Sequence, residues 1–314
     1  FVKIIKNIIN YSEHKNSAVT IGSFDGIHLG HEKILKKLKK EAIKDNLLSV
    51  IITFDPHPRT ILKNEKSIKS INLIEEKKDI LKKFKIDIVV IHPFSKSFSK
   101  LSSLEFTRDI LVKKFKIKKL ILGFNHSFGK NREATVMDIN KFSKELNFQL
   151  IEVKAKKLNN LNISSTLIRN YILNGEIKKA NLNLGRSFSF SGIVVRGFGL
   201  GKKLNFPTAN IKIENNKKIF PESGVFFVHA IIKKKQYFGM MNIGNRPTLN
   251  RKKKSIEIHF FDLNMDLYGE KIEVFLNFKI RDEIKFSSLK ELQKQIIIDK
   301  QRCINYLSKL WLFI

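Results

Sequence analysis

Two histidines, His28 and His31, stand three residues apart around a glycine in "GSFDGIHLGH" (residues 22–31), directly after the apolar run "SAVTI" and directly before a lysine-rich helical pattern. If a helix begins near residue 28, the pair projects from neighbouring positions of its first turn. A helix N-terminus offers unpaired N–H groups and the positive end of a dipole, which suits a bound phosphate, and imidazoles there can donate hydrogen bonds to phosphate oxygens. Gly22, Gly26 and Gly30 leave room where a backbone turns tightly or a ligand comes close. On the residues alone two other uses stay open: a structural histidine pair, and a metal pair, for which no cysteine cluster or third ligand stands at a useful spacing.

A second constellation lies in "VVRGFGLGKKLNFPTANI" (194–211), where Gly197, Gly199 and Gly201 precede Lys202. The spacing fits neither a P-loop nor a dinucleotide fingerprint, and a glycine-rich stretch by itself is more often a flexible turn than a phosphate cradle.

These groups need elements to hold them. Between residues 17 and 180, "SAVTIG", "LLSVIITF" (47–54), "IDIVVIHP" (86–93), "IKKLILG" (117–123) and "FQLIEV" (148–153) read as buried strands separated by helical patterns. Asn72 with Glu75, and Ser102 with Glu105, fit capping boxes; Ile34, Leu35, Leu38 and Ala42 form an apolar stripe against a lysine face. Alternating strands and helices imply crossovers, hence a mainly parallel sheet covered on both faces, with sites beyond the carboxyl ends of its strands. The histidine pair sits at such an end.

After "GRSFSF" (185–190) period two replaces period 3.6, and "SGIVVRG", "FPTANIKI", "GVFFVHAII", "KQYFGMMNIG", "SIEIHFFDL" and "EKIEVFLNF" predict an antiparallel barrel. One amphipathic helix from Ser288, with Ser288 and Glu291 as a capping box, closes it near Leu310, and the cluster "RKKK" (251–254) reads as a solvated loop. The boundary is expected near 181–187, dividing residues 1–183 from 184–314.

At 314 residues and 42% apolar content the chain can bury sizeable cores. Its single cysteine, Cys303, cannot form an internal disulfide, so a cytoplasmic setting is expected. No apolar stretch has the length of a membrane span, so no membrane partner is expected. A net charge of +31 could serve nucleic acid. The lysines, however, are spread over the whole chain instead of gathering in a stripe with aromatics, which reads as compositional drift with no specific nucleic-acid partner. No sequence feature fixes an oligomeric state.

"GSFDGIHLGH" resembles the HxGH signature of the nucleotidyltransferase superfamily, and specifically that of the bifunctional riboflavin kinase/FMN adenylyltransferases, the prokaryotic FAD synthetases. "TFDPHPR" (53–59), "GFNHSFGKNR" (123–132) and "ISSTLIRNYILNGEIKKANLNLGR" (163–186) follow in that family's order, whereas class I aminoacyl-tRNA synthetases, which share an HxGH, need a KMSKS-type loop that has no convincing match here. The resemblance implies a Rossmann-like domain that moves AMP from ATP to the phosphate of FMN, releasing pyrophosphate. His28 and His31 would act on the ATP phosphates, with Gly22, Phe24, Asp25 and Gly26 along the nucleotide. Asn125 would position nucleotide and flavin, and Ser164, Ser165, Thr166 and Arg169 would clamp the pyrophosphate side, where arginine's planar fork binds oxygens two at a time. His57, between two prolines, is as readily structural as functional.

"FPTANI" is similar to the PTAN motif of riboflavin kinases, and "GMMNIGNRPTLN" (239–250), "IEIHFFDLNMDLYGEKIEV" (256–274) and "IRDEIKF" (280–286) complete the family's order. The resemblance implies a barrel kinase domain in which Thr208 and Asn210 hold Mg²⁺ with ATP, Gly197, Gly199, Gly201 and Lys202 cover the nucleotide, and Glu257 is the base. Phosphorylating riboflavin needs such a base, because its hydroxyl is a poor nucleophile until a carboxylate takes the proton. Arg246 and Arg281 would face the flavin, although a salt bridge explains either equally well. Where the family reads Gly-Arg-x-Leu-Gly, this chain has Gly201, Lys202, Lys203, Leu204 and Asn205; Asn tolerates positive φ, so the loop can survive the loss of glycine. Ser187 stands where a proline is usual. Two rival readings stay open: an enzyme with only one of the activities, and a basic nucleic-acid-binding protein on the same scaffold.

Overall fold

The computed structural model describes residues 2–62, 69–124, 128–129, 134–197, 199, 201, 204–248 and 251–311, with backbone alone for 245–248, 251–254 and 310–311. By contact the chain divides into two units, Phe1–Ser165 and Thr166–Ile314.

In the first unit the strands are β1 (Lys3–Lys6), β2 (Ser17–Ile21), β3 (Leu48–Phe54), β4 (Ile88–His92), β5 (Ile117–Gly123) and β6 (Gln149–Val153). They form one parallel sheet in the order β1-β4-β3-β2-β5-β6. Successive strand residues feed opposite faces. Val19, Ile21, Val50, Ile52 and Val90 pack into one core, Ala18, Ile51, Val89 and Ile121 into the other. Both faces are therefore covered, which is why the strands read as continuous apolar runs. β1 was not expected from sequence; its "KIIK" is too short and too charged to signal a strand, and it pairs with β4 as a lysine-bearing edge.

The helices are α1 (Leu29–Lys44), α2 (Pro58–Leu62), α3 (Ile74–Lys82), α4 (Ser103–Glu105), which continues as a π-helix (Phe106–Lys114), and α5 (Val136–Glu145). The Ser102/Glu105 box forms in both directions. The box expected at Asn72 and Glu75 is shifted by one residue: Glu76 reaches back to the Leu73 N–H, and leucine has no acceptor to complete the exchange. A short hairpin, β7 (Lys157–Leu158) with β8 (Leu161–Asn162), leads into α6 (Ser165–Leu173).

α1 buries Leu35, Leu38 and Ala42 as its stripe predicts, together with Glu41. Glu41 is held by Lys119 of β5 at 2.6 Å and by Lys37 at 2.8 Å, and Lys119 also meets Asp45 at 2.7 Å. Hydrogen bonds from Lys119 and Lys37 draw the Glu41 carboxyl down to about 2. Lys119→Met is expected to cost ~2 kcal/mol in urea unfolding at neutral pH, because it removes one of the two charged hydrogen-bond partners of the buried Glu41 carboxylate and leaves only Lys37. The depressed carboxyl contributes fully above its ordinary value of 4.5 and loses that contribution as pH falls toward 2, so the gap between parent and variant should close across that window.

In the second unit α7 (Ile177–Leu184) ends on Gly185 at φ 72°. β9 (Phe188–Val195), β10 (Ala209–Lys212), β11 (Gly224–Ile232), β12 (Lys235–Thr248), β13 (Arg251–Phe260) and β14 (Lys271–Arg281) close into a barrel in the order β10-β13-β12-β11-β14-β9. All pairs are antiparallel. Residues 251–254, read above as a loop, open β13 and pair with 245–248; a run of like charges carries no period-two signal, and the backbone ladder decides instead. α7 packs on the barrel through Asn181, whose amide donates to the Leu276 carbonyl at 2.8 Å and whose oxygen accepts from the Phe188 N–H at 2.7 Å. The final helix, α8 (Leu289–Trp311), starts beside Ser288, whose hydroxyl accepts from the Glu291 N–H. Glu291 reaches back to Ser287, not to Ser288.

Candidate active sites

The loop between β2 and α1 is braced from several sides. Gly22 extends the sheet by donating to the Ile52 carbonyl at 3.0 Å. The Ser23 carbonyl accepts from Thr53 Oγ1 at 3.2 Å and from Lys77 Nζ at 2.7 Å. Asp25, expected along the nucleotide, is buried, and its Oδ1 accepts from the N–H groups of Ile71 and Asn72 at 2.9 and 3.3 Å, so its carboxylate braces the loop. Phe24, Gly26 and Ile27 adopt φ of 44°, 86° and 36°, a sharp reversal that only Gly26 makes without strain.

This reversal ends on His28, the N-cap of α1, whose Nδ1 accepts from the His31 N–H at 3.3 Å. Accepting through Nδ1 puts the neutral ring's proton on Nε2 and makes that nitrogen a donor. The two imidazoles stack, with centroids 3.7 Å apart, and the Phe24 ring lies 5.1 Å from His31. Gly30 sits against the His28 ring, where a Cβ would come within 3.1 Å. Ser164 and Ser165 meet the same loop through Ser165 Oγ, which donates to the Asp25 carbonyl at 2.8 Å. Thr166 and Arg169 follow on α6. Asn125 lies outside the described residues.

Beyond the carboxyl ends of β3 and β4, phenylalanines meet edge to face. Phe54 lies 5.4 Å from Phe94, Phe98 5.9 Å from Phe106, and Phe106 5.4 Å from Phe128. Leu62, Phe94, Phe98, Leu101, Phe106 and Gly129 line a pocket there. Nothing local marks these among the 26 phenylalanines of the chain except that Phe54 ends β3 and Phe94 follows β4 closely.

In the barrel, Asn210 of β10 stands directly opposite Glu257 of β13, and Glu257 opposite Asn242 of β12. Directly opposed residues share a face, so a carboxamide, a carboxylate and a second carboxamide form a row across three strands, with Thr208 two residues before Asn210. The glycine loop closes on this row: a Cβ at Gly197 would collide with the Asn210 side chain, and one at Gly201 would press on the Phe206 carbonyl and stand 3.1 Å from Thr208 Oγ1. Gly199 has φ 73°. Asn205 takes φ 62°, the conformation that replaces the missing glycine, and the Phe206 N–H donates to the Gly201 carbonyl at 2.8 Å. Lys202 and the Arg246 side chain lie outside the described residues.

His259, which sequence reasoning passed over, lies two residues beyond Glu257, and its Nδ1 donates to the Pro207 carbonyl at 3.0 Å. Burial first, and then the charge of Lys300, lower its pKa. Arg281, expected at the flavin, makes the salt bridge that its sequence left open: Nε donates to the buried Asp299 of α8 at 2.8 Å.

Both arrangements have groups that suit phosphate chemistry, one a helix N-terminus with imidazoles, the other neutral oxygen donors beside a carboxylate, as a phosphate-transfer enzyme requires. The FAD synthetase family model matches residues 10–167 and the riboflavin kinase model residues 184–307. The bifunctional riboflavin kinase/FMN adenylyltransferase of Buchnera aphidicola from Schizaphis graminum is 40% identical over 95% of this chain and 96% of its own. That of Escherichia coli K12 is 34% identical over the same shares. A crystal structure from Streptococcus pneumoniae, described as a macrolide-efflux protein, matches with a TM-score of 0.90 at 30% identity, over 97% of this chain and 99% of that one. Among the described residues no helix is long and apolar enough to cross a membrane. The chain belongs to the bifunctional riboflavin kinase/FMN adenylyltransferase family: it phosphorylates riboflavin to FMN and adenylylates FMN to FAD, with ATP as the second substrate of both reactions.

Proposed function

We propose that residues 1–183 carry the adenylyl transfer and residues 184–314 the kinase reaction, with the following roles. In the transferase, His28 and His31 donate to the ATP phosphates at the start of α1, and Ser164, Ser165, Thr166 and Arg169 hold the departing pyrophosphate. The FMN phosphate is itself the nucleophile, so these groups align two polyanions and offset charge on the transferring group. Asn125 orients the substrates.

In the kinase, Glu257 accepts the proton of the riboflavin hydroxyl as the γ-phosphoryl group transfers. Thr208 Oγ1 and the Asn210 carboxamide are hard oxygen donors of the kind Mg²⁺ takes alongside water and substrate phosphates. Among the described residues no trio of His, Cys, Asp or Glu stands together, so an all-protein cage is not the alternative there. When bound with ATP, Mg²⁺ supplies neutralisation of the phosphoryl oxygens. Gly197, Gly199, Gly201 and Lys202 cover the nucleotide, and Arg246 is the flavin-side group. The observation that carries this reading is the direct pairing of Asn210 with Glu257 beside a glycine loop whose Gly197 and Gly201 leave no space for a Cβ.

The setting is cytoplasmic and no specific nucleic acid is bound. For the setting, support comes from a lone cysteine, Cys303, that is fully buried, its thiol pushed up to about 12 by burial; for the second, from lysines spread over the whole chain.

The test is a chromatographic time course with riboflavin, ATP and Mg²⁺, run on the parent chain and on Gly197→Ala. FMN should appear before FAD in the parent. In the variant, displacement of Asn210 should slow FMN formation by roughly tenfold or more, a change of about 1.4 kcal/mol in the barrier, while added FMN is converted to FAD normally. Equal loss of both activities would refute the division of labour.

A further inference from the structure

We infer that Lys77 is a positioning residue for adenylyl transfer, holding the phosphate-binding loop in its strained form from beneath. The inference rests on the reading that the loop ending at His28 receives the ATP phosphates.

Lys77 lies on α3 and is 6% exposed. An ammonium group is expensive to bury unless it is paired or hydrogen-bonded. Lys119, the other buried lysine of this unit described above, meets two carboxylates directly. Lys77 instead directs its hydrogen bond to a neutral main-chain oxygen, Ser23 O, at 2.7 Å. Burial lowers its pKa, opposed in part by the charges of Asp25 and Asp55. A lysine kept in that position stabilises whatever the carbonyl belongs to, and the carbonyl belongs to the turn that sets His28.

That turn needs holding. Phe24 and Ile27 adopt positive φ, which is unfavourable for a bulky residue and more so for a β-branched one. Such backbone persists only where its surroundings over-determine it. The bracing runs both ways between the loop and the start of α3: the Asp25 carboxylate accepts from the Ile71 and Asn72 N–H groups, and Lys77 returns a bond to the Ser23 carbonyl. Thr53 Oγ1 supplies the second bond to the same carbonyl. Lys77 never touches substrate in this scheme; it fixes the angle at which α1 and its histidines meet the phosphates.

The experiment is steady-state kinetics of both reactions, with thermal unfolding, on Lys77→Met, Thr53→Val and the double variant. Methionine keeps the apolar stem and removes a buried ammonium together with its bond to the Ser23 carbonyl and its attraction for the buried Asp25; these effects oppose one another, so the melting temperature should shift little. Adenylyl transfer should lose about 10²-fold in kcat with a raised KM for ATP, since small misplacements of aligned groups carry such costs. Riboflavin phosphorylation should be unchanged. Thr53→Val should act in the same direction more weakly, and the double variant should fall short of the product of the single effects, because both residues act through one carbonyl.

Adenylyl transfer within about threefold of the parent in Lys77→Met, or a loss matched by a fall in melting temperature, would overturn the inference. If Lys77→Met does not fold, Thr53→Val decides: lost kcat with intact melting supports the inference, and unchanged kcat overturns it. His31→Ala, measured alongside, separates the two levels. Full activity in that variant would remove the underlying reading, whereas an inactive His31→Ala beside a normal Lys77→Met would remove only the role of Lys77.

Discussion

Glu257→Gln should stop riboflavin phosphorylation, lowering the rate of FMN formation by roughly 10³-fold, while FMN is still converted to FAD at the parent rate. Glutamine keeps the volume of glutamate and most of its hydrogen-bonding capacity, but it cannot accept a proton. A purely structural Glu257 would therefore tolerate the change. The residue stands between Asn210 and Asn242 in register, so under the proposed roles a riboflavin hydroxyl at this row would meet the carboxylate beside the nucleotide side. The check is separate rate measurements with riboflavin and with FMN as starting flavin. Equal loss of both activities would mean that the substitution damaged the fold and would refute the assignment as base.

His31→Ala should do the reverse, lowering FAD formation by about 10²-fold, the usual cost of one preorganised donor at a developing charge, and leaving riboflavin phosphorylation intact so that FMN accumulates. His31 is the cleaner probe of the pair. His28 also caps α1 by accepting from the His31 N–H, so His28→Ala would add the loss of a helix cap, about 1 kcal/mol, to any chemical effect. FAD synthesis within about tenfold of the parent, a barrier change near 1.4 kcal/mol, would rule out a transition-state role for His31.

The fold was legible wherever burial leaves a periodic trace. β2 to β6 and the barrel strands are apolar because they face cores, and α1 shows its stripe because one side of it packs on the sheet. The parts that escaped are those whose structure rests on partners distant in sequence. β1 exists because β4 offers it an edge, and residues 251–254 are strand because 245–248 pair with them. In the same way the hydrogen bonds of the Asp25 carboxylate, and the choice of Asp299 for the salt bridge that the sequence left open at Arg281, depend on what faces them.

Local chemistry was thus determined by the sequence alone: a histidine pair on a helix start, a PTAN strand, a carboxylate in "IEIHFFD" and an Asn205 able to take the left-handed turn. The first and last are properties of neighbouring residues that short-range spacing encodes; the PTAN segment and the carboxylate stand out through the family resemblance. Only the tertiary structure decided what holds that chemistry in place. Lys77 is one of many lysines until α3 docks and buries its ammonium beneath the Ser23 carbonyl, and His259 is unremarked until the Pro207 carbonyl comes within 3.0 Å. The physical reason is that burying a polar group is costly unless a partner meets it, and which partner arrives is settled by packing, not by sequence spacing.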